Sequence, residues 1–172
     1  MPLFHSCPVL LQVGSIIAPG NFGRILRLYK AQNANVLLFR ETTLENIRQK
    51  EFPTKPSRLS STFALETLEE ATFFQTQVLK NFNVVYEVEW TDPGANKHRG
   101  DYNKVGPGPD APLLSAMPDV ARAYWNGANV ERAEVVSESA LRILRVVDII
   151  APVPTSPAPV TFSGPITITL KP

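Results

Sequence analysis

The sequence predicts an α+β fold with mostly antiparallel strand pairing, and three observations carry that prediction. Strand and helix signals are mixed along the chain without the regular βαβ repetition of a doubly wound sheet. Residues 84–90 alternate apolar and acidic side chains, with Val84, Tyr86, Val88 and Trp90 facing one way and Glu87 and Glu89 the other. Two Thr-x-x-Glu capping boxes, Thr42 with Glu45 and Thr67 with Glu70, announce helices between the strands.

In chain order, residues 2–7 and 15–18 read as short strands around a turn, and residues 24–31 are ambiguous between strand and helix. A helix opens at Thr42, carries its apolar stripe on Leu44, Ile47 and Phe52, and ends near Glu51 because Pro53 disfavours helix before it. Residues 53–57 form a loop, and residues 58–65 read as a strand. The second capped helix starts at Thr67, shows Leu68, Ala71, Phe74 and Val78 at helical spacing, and stops at Asn81. Residues 91–110, rich in Asp, Gly, Pro and basic side chains, read as one long loop of the kind that often carries function. Met117, Val120, Ala121 and Tyr124 define a third helix with Pro118 near its first turn and Asn126-Gly127 at its end. Two closing strands follow at 133–136 and 141–149.

The 172 residues suit a single domain over 1–150. Beyond it, residues 151–172 hold six of the sixteen prolines, a density that favours extended chain. Within that tail Ile166 to Leu170 alternate like a strand able to dock on a sheet edge. With 44% hydrophobic and 19% charged residues the balance is globular, and a net charge of +1 gives no global basic field for nucleic acid or acidic membrane. A single cysteine, Cys7, excludes an internal disulfide framework and fits a reducing cytoplasm. No apolar run approaches the roughly 18 residues that span a bilayer, and no basic-then-apolar start suggests secretion. The expectation is a cytoplasmic protein with no membrane partner.

Several chemistries find no support. The glycines at 14, 20 and 23 lack Rossmann spacing, and no P-loop, G-x-S-x-G elbow, H-E-x-x-H or C-x-x-C is present, so no metal is expected. What remains is polar residues at strand ends: His5 after an apolar strand and beside a glycine-punctuated loop, Ser60-Ser61-Thr62-Phe63, Glu134 at the start of an apolar strand, and His98-Arg99-Gly100-Asp101 in the long loop. The plain alternatives are a structural histidine, cross-strand hydroxyl pairs, an exposed edge charge and a solvated turn. Tyr124-Trp125 reads as core or groove wall.

Taken in order, these stretches resemble the ADP-ribosyltransferase superfamily, in particular the small bacterial enzymes that modify rifamycins. Leu3-Phe4-His5 and Gly14-Ser15-Ile16-Ile17-Ala18-Pro19-Gly20 are similar to that family's opening strand and "G-D-L-L-x-P-G" segment. Residues 62–71 resemble its aromatic strand and "T-L-x-x-A" helix, residues 86–90 its "Y-x-V-E-P" strand, and residues 138–144 its final strand. Ala133-Glu134-Val135-Val136 is similar to the "A-E-V-L-V" strand of the DNA-targeting toxins of the superfamily. The resemblance implies two small twisted sheets with NAD in the cleft between them. His5 would bond a ribose hydroxyl, and Phe63, where tyrosine is usual, would pack on nicotinamide. Ser61 and Thr62 would supply hydroxyls, and Arg24 or Arg58 would hold the pyrophosphate. The acid would be Glu134 or Asp101, stabilising oxocarbenium-like charge as the glycosidic bond opens. NAD would be a substrate, with ADP-ribose passing to an unidentified protein, nucleic acid or small molecule. The rival expectations are a non-catalytic module binding NAD, ADP-ribose or RNA ends, and an interaction protein that uses its Pro-rich tail.

Overall fold

The computed structural model describes residues 2–30, 36–79 and 83–150. The Pro-rich tail and the expected helix stop at Asn81 lie outside the described residues. Within them the chain is α+β, with seven strands in one sheet and helices packed on it. The strands are β1 (Leu3–Cys7), β2 (Ile16–Ile17), β3 (Thr62–Leu65), β4 (Asn83–Trp90), β5 (Lys97–Asp101), β6 (Ala133–Ser137) and β7 (Leu141–Ile150). Their order across the sheet is β2-β7-β4-β1-β3-β6-β5, and every pairing is antiparallel.

The resemblance implied two sheets, whereas backbone pairing joins all seven strands into one. Its weakest seam runs through the middle. β1 and β4 share five register pairs, from Leu3↔Val88 to Cys7↔Val84, but β1 meets β3 at Phe4↔Leu65 alone. Beyond that seam β3, β6 and β5 form a second tightly paired group.

The helices are α1 (Asn21–Leu26), α2 (Val36–Glu51), α3 (Leu68–Phe73) and α4 (Leu113–Asn126). Of the ambiguous stretch 24–31, residues 24–26 end α1, residues 27–30 follow it outside any helix or strand, and residue 31 lies outside the described residues. The Thr42–Glu45 pair is no capping box: α2 begins at Val36 and Thr42 sits in its interior. The helix extends upstream because its inner face packs on α4, where Leu44, Ile47, Met117, Ala121, Tyr124 and Trp125 form one core cluster. The indole of Trp125 locks the two helices by donating to the Leu44 carbonyl at 2.8 Å. Thr67 is a true N-cap, its hydroxyl accepting from the Glu70 amide at 3.1 Å, and α3 runs on as a π-helical turn over Phe74–Leu79.

Three further expectations are corrected. Arg58–Ser60 is a 3-10 turn capped by Ser57, so the strand starts only at Thr62. The long loop contains β5, whose Lys97-His98-Arg99-Gly100-Asp101 has no apolar alternation and owes its extended form to the ladder offered by β6. Finally, α4 starts at Leu113, which puts Pro118 inside the helix, and Gly127 ends it in the left-handed conformation (φ 67°). On the sheet face away from α2 and α4, Ala64, Val84, Tyr86, Val88, Leu141 and Ile143 build a second core.

Candidate functional site

Register determines which expected residues can meet. Leu65 lies opposite Glu134 and Phe63 opposite Val136, so Phe63, Leu65 and Glu134 share one face of neighbouring strands. Phe4, paired with Leu65, belongs to that face, which sends His5 to the other. The imidazole nevertheless reaches across the seam, with Nδ1 2.8 Å from the Phe63 carbonyl oxygen. A carbonyl only accepts, so Nδ1 carries the proton and Nε2 of the neutral ring offers a lone pair. Half-buried His5 is held neutral because removal from water pushes its pKa down, more than the backbone bond to Phe63 raises it.

Glu134 lies under α4 in a buried polar network. Glu41, Tyr124, Glu134 and Arg58 are 1%, 2%, 5% and 6% exposed. Arg58 Nε donates to Glu41 at 2.9 Å, and its Nη1 donates to the Tyr124 hydroxyl at 2.6 Å and to Glu134 Oε1. The Tyr124 hydroxyl donates to the same Glu134 oxygen at 2.9 Å. Half-exposed Arg40 adds a second cation on Glu41 at 2.9 Å. The guanidinium of Arg58 also lies 4.9 Å from the Phe63 ring centroid and 5.0 Å from that of Tyr124, a geometry that supports a buried cation. Desolvation works against the Arg58 cation, but Glu134, Tyr124 and Glu41 together hold it well above the ordinary arginine range.

These contacts change several expected roles. Arg58 cannot bind a pyrophosphate while its donors are spent on Glu41, Tyr124 and Glu134. Arg24, exposed on α1 and bonded among the described residues only to Asn21, keeps that capacity. Thr62 is committed to structure, donating to the Ser139 carbonyl at 2.7 Å. Asp101 holds the turn after β5. It accepts from the Asn103 and Glu131 amides at 3.0 and 2.9 Å and pairs with Lys104 at 3.4 Å, and these bonds outweigh burial and lower its pKa. The 98–101 stretch is therefore no solvated turn, and Glu134 is no exposed edge charge. Phe63 is half-buried, its ring edge-on to Phe22 at 5.5 Å.

Two hydroxyl oxygens, Ser61 Oγ and Ser6 Oγ, are buried without a hydrogen-bond partner among the described residues. An orphaned buried hydroxyl costs about 1–3 kcal/mol. Nearby, Leu26, Arg27, Tyr29, Leu38, Glu41 and Leu59 line a cleft of about 330 Å³ between α1 and α2, of the size that takes small ligands. Glu41 lines both the cleft and the buried network.

Sequence reasoning missed Glu41 and the role of Tyr124. The signal for Glu41 was its place three residues before Leu44, on the stripe it shares with Ile47: an acid on an apolar helix face has to be paired. Among the described residues no three His, Cys, Asp or Glu side chains gather as a metal site, and no helix is long and apolar enough to cross a membrane. Residues 20–150 match the family described as "Protein of unknown function (DUF2441)". No curated protein matches the chain.

Proposed function

We propose that this chain, which belongs to the DUF2441 family, is an NAD-dependent ADP-ribosyltransferase with its site at the seam between β1 and β3. The observation that supports the reading is that three of the five resemblance-bearing strands, β1, β3 and β6, are immediate neighbours in the sheet. His5, Phe63 and Glu134 come from these three strands in that order, Phe63 and Glu134 on one face and His5 on the other, its imidazole reaching the Phe63 carbonyl across the seam.

In this reading NAD threads the seam. His5 Nε2 accepts from a ribose hydroxyl, and the neutral ring enforced by burial keeps that lone pair available. Phe63 packs on nicotinamide without the hydroxyl a tyrosine would add. Ser61 Oγ, buried and without a partner among the described residues, supplies a hydrogen bond to the bound dinucleotide. The ADP half occupies the cleft beside α1, where Arg27 lines the wall and Arg24 is exposed on the same helix. The bond between the nicotinamide nitrogen and ribose C1′ breaks, nicotinamide leaves with the electron pair, and positive charge builds on the ribose. Glu134 stabilises that charge through the hydroxyl it binds. The acceptor's nucleophile then bonds to C1′ and releases its proton. Asp101 is excluded from this role because its oxygens are filled by backbone amides and Lys104.

Nicotinamide release from NAD by the purified protein, with and without cell lysate as a source of acceptor, tests this directly. Release is expected, with Glu134→Gln lowering it by about 100-fold or more and His5→Ala weakening NAD binding, both in proteins that unfold cooperatively. Release that survives Glu134→Gln would remove Glu134 as the acid. Saturable NAD binding without release, in lysate as well, would leave a binding module instead of an enzyme. Neither binding nor release would reject the NAD site altogether.

A further inference from the structure

Within the buried network Glu134 is held by one oxygen. Arg58 Nη1 and the Tyr124 hydroxyl both donate to Oε1, the hydroxyl at 2.9 Å, and Oε2 has no hydrogen-bond partner among the described residues. An arginine facing a carboxylate usually engages both oxygens through two parallel N–H bonds. Here that fork is unavailable, because Glu41 occupies the Nε and Nη2 side of the guanidinium at 2.9 and 3.5 Å. Only Nη1 is left for Glu134.

The direction of every proton in the cluster follows. Arginine has no acceptor, so Nη1 donates to the tyrosine oxygen at 2.6 Å, and the single phenolic proton is left to point at Glu134. Burial, opposed by the Arg58 charge and reinforced by that of Glu134, drives the Tyr124 pKa well above the ordinary phenol value, which favours the protonated hydroxyl that this geometry requires.

Strand β5 sets the position of Tyr124. Gly100 lies directly opposite Glu134 in the β5–β6 ladder, and a Cβ there would sit 2.3 Å from a Tyr124 ring carbon. The ring therefore rests on bare backbone beside the acid. From the same strand, His98 Nε2 donates to the Tyr124 carbonyl at 3.0 Å, and its ring meets the tyrosine edge-on at 5.2 Å. Strand β5 thus supplies the seat for the ring, and β6 supplies the group its hydroxyl touches.

We infer that Tyr124 is a positioning residue: with Arg58 it fixes Oε1 of Glu134 and leaves Oε2 as the oxygen presented to the ribose hydroxyl. The inference rests on the NAD reading above. Tyr124→Phe keeps the ring, its seat and its stacking on Arg58, and removes only the hydroxyl. The expected result is a fall in kcat for nicotinamide release of about 10- to 100-fold, with KM and the calorimetric Kd for NAD within twofold of wild type. Gly100→Ala, which keeps every polar group and pushes the ring off its seat, should reproduce the loss in kcat. In a Glu134→Gln background, Tyr124→Phe should cost nothing further. A merely structural tyrosine would lower the unfolding temperature and leave kcat of the folded fraction unchanged. That outcome, or a loss confined to KM, overturns the inference while the NAD reading stands. A wild-type protein that neither binds NAD nor releases nicotinamide overturns both.

Discussion

Gly23 shows how one missing side chain shapes the site. A Cβ at this position would lie 2.1 Å from the Leu59 carbonyl oxygen, so α1 rests directly on the turn that leads into β3. The contact continues through the Gly20 amide, which donates to the Ser61 carbonyl at 3.0 Å, with Gly20 in a left-handed conformation (φ 85°). Gly23→Ala is expected to cost about 1–3 kcal/mol, as overpacking against an unyielding neighbour does. Denaturant titration would read it as a lower midpoint with an unchanged slope; a midpoint equal to wild type would mean that the turn can give way. Arg58 makes the complementary point. In the sequence it is an arginine ahead of three hydroxyl residues, which suits a phosphate ligand. In the fold its partners come from positions 41, 124 and 134, too far along the chain for any local pattern to announce.

At the scale of elements, the two Thr-x-x-Glu boxes had identical local chemistry and opposite outcomes. Thr67 is preceded by a strand that must end at the sheet rim, so its hydroxyl is free to cap α3. Thr42 sits within a run whose apolar face is already committed to α4, and tertiary packing carries the helix through it. Thr67→Ala is therefore expected to cost about 1 kcal/mol, whereas the absence of any loss on thermal unfolding would show that the extended π-helical segment, not the cap, fixes this helix. Strand β5 was hidden for a related reason. Its side chains pair outward to Glu66 or inward to α4 according to neighbours, not by their own hydropathy.

The whole molecule is expected to lose stability in acid through the side chain that seats Tyr124. His98 is 3% exposed, and its pKa is pushed down to about 4, first by desolvation and then by the positive charges of Lys55 and Arg58. In the unfolded chain it titrates near 6.5, so between these values the unfolded state binds the extra proton. Its contribution is whole above pH 6.5 and is lost as pH falls toward 4, up to about 3 kcal/mol. His98→Gln keeps a donor for the Tyr124 carbonyl without titrating, and it should flatten stability between pH 7 and 5 in urea titrations. An equal slope in both proteins would assign the acid sensitivity elsewhere. The Nε2–H bond to the Tyr124 carbonyl survives protonation, so the acid sensitivity comes from burying the imidazolium beside Lys55 and Arg58.

The sequence by itself determined the α+β class, the antiparallel β4, β6 and β7, the Thr67 cap and the helix carrying Tyr124 and Trp125. These depend on alternation, capping and helical spacing, all written within a few residues of one another. Only the tertiary structure decided that the acidic and basic groups at 41, 58 and 134 would meet in one buried network, that Asp101 would serve a turn, and that β5 would exist. Burying a charge obliges the fold to bring a partner to it, and that partner can come from any distance along the chain.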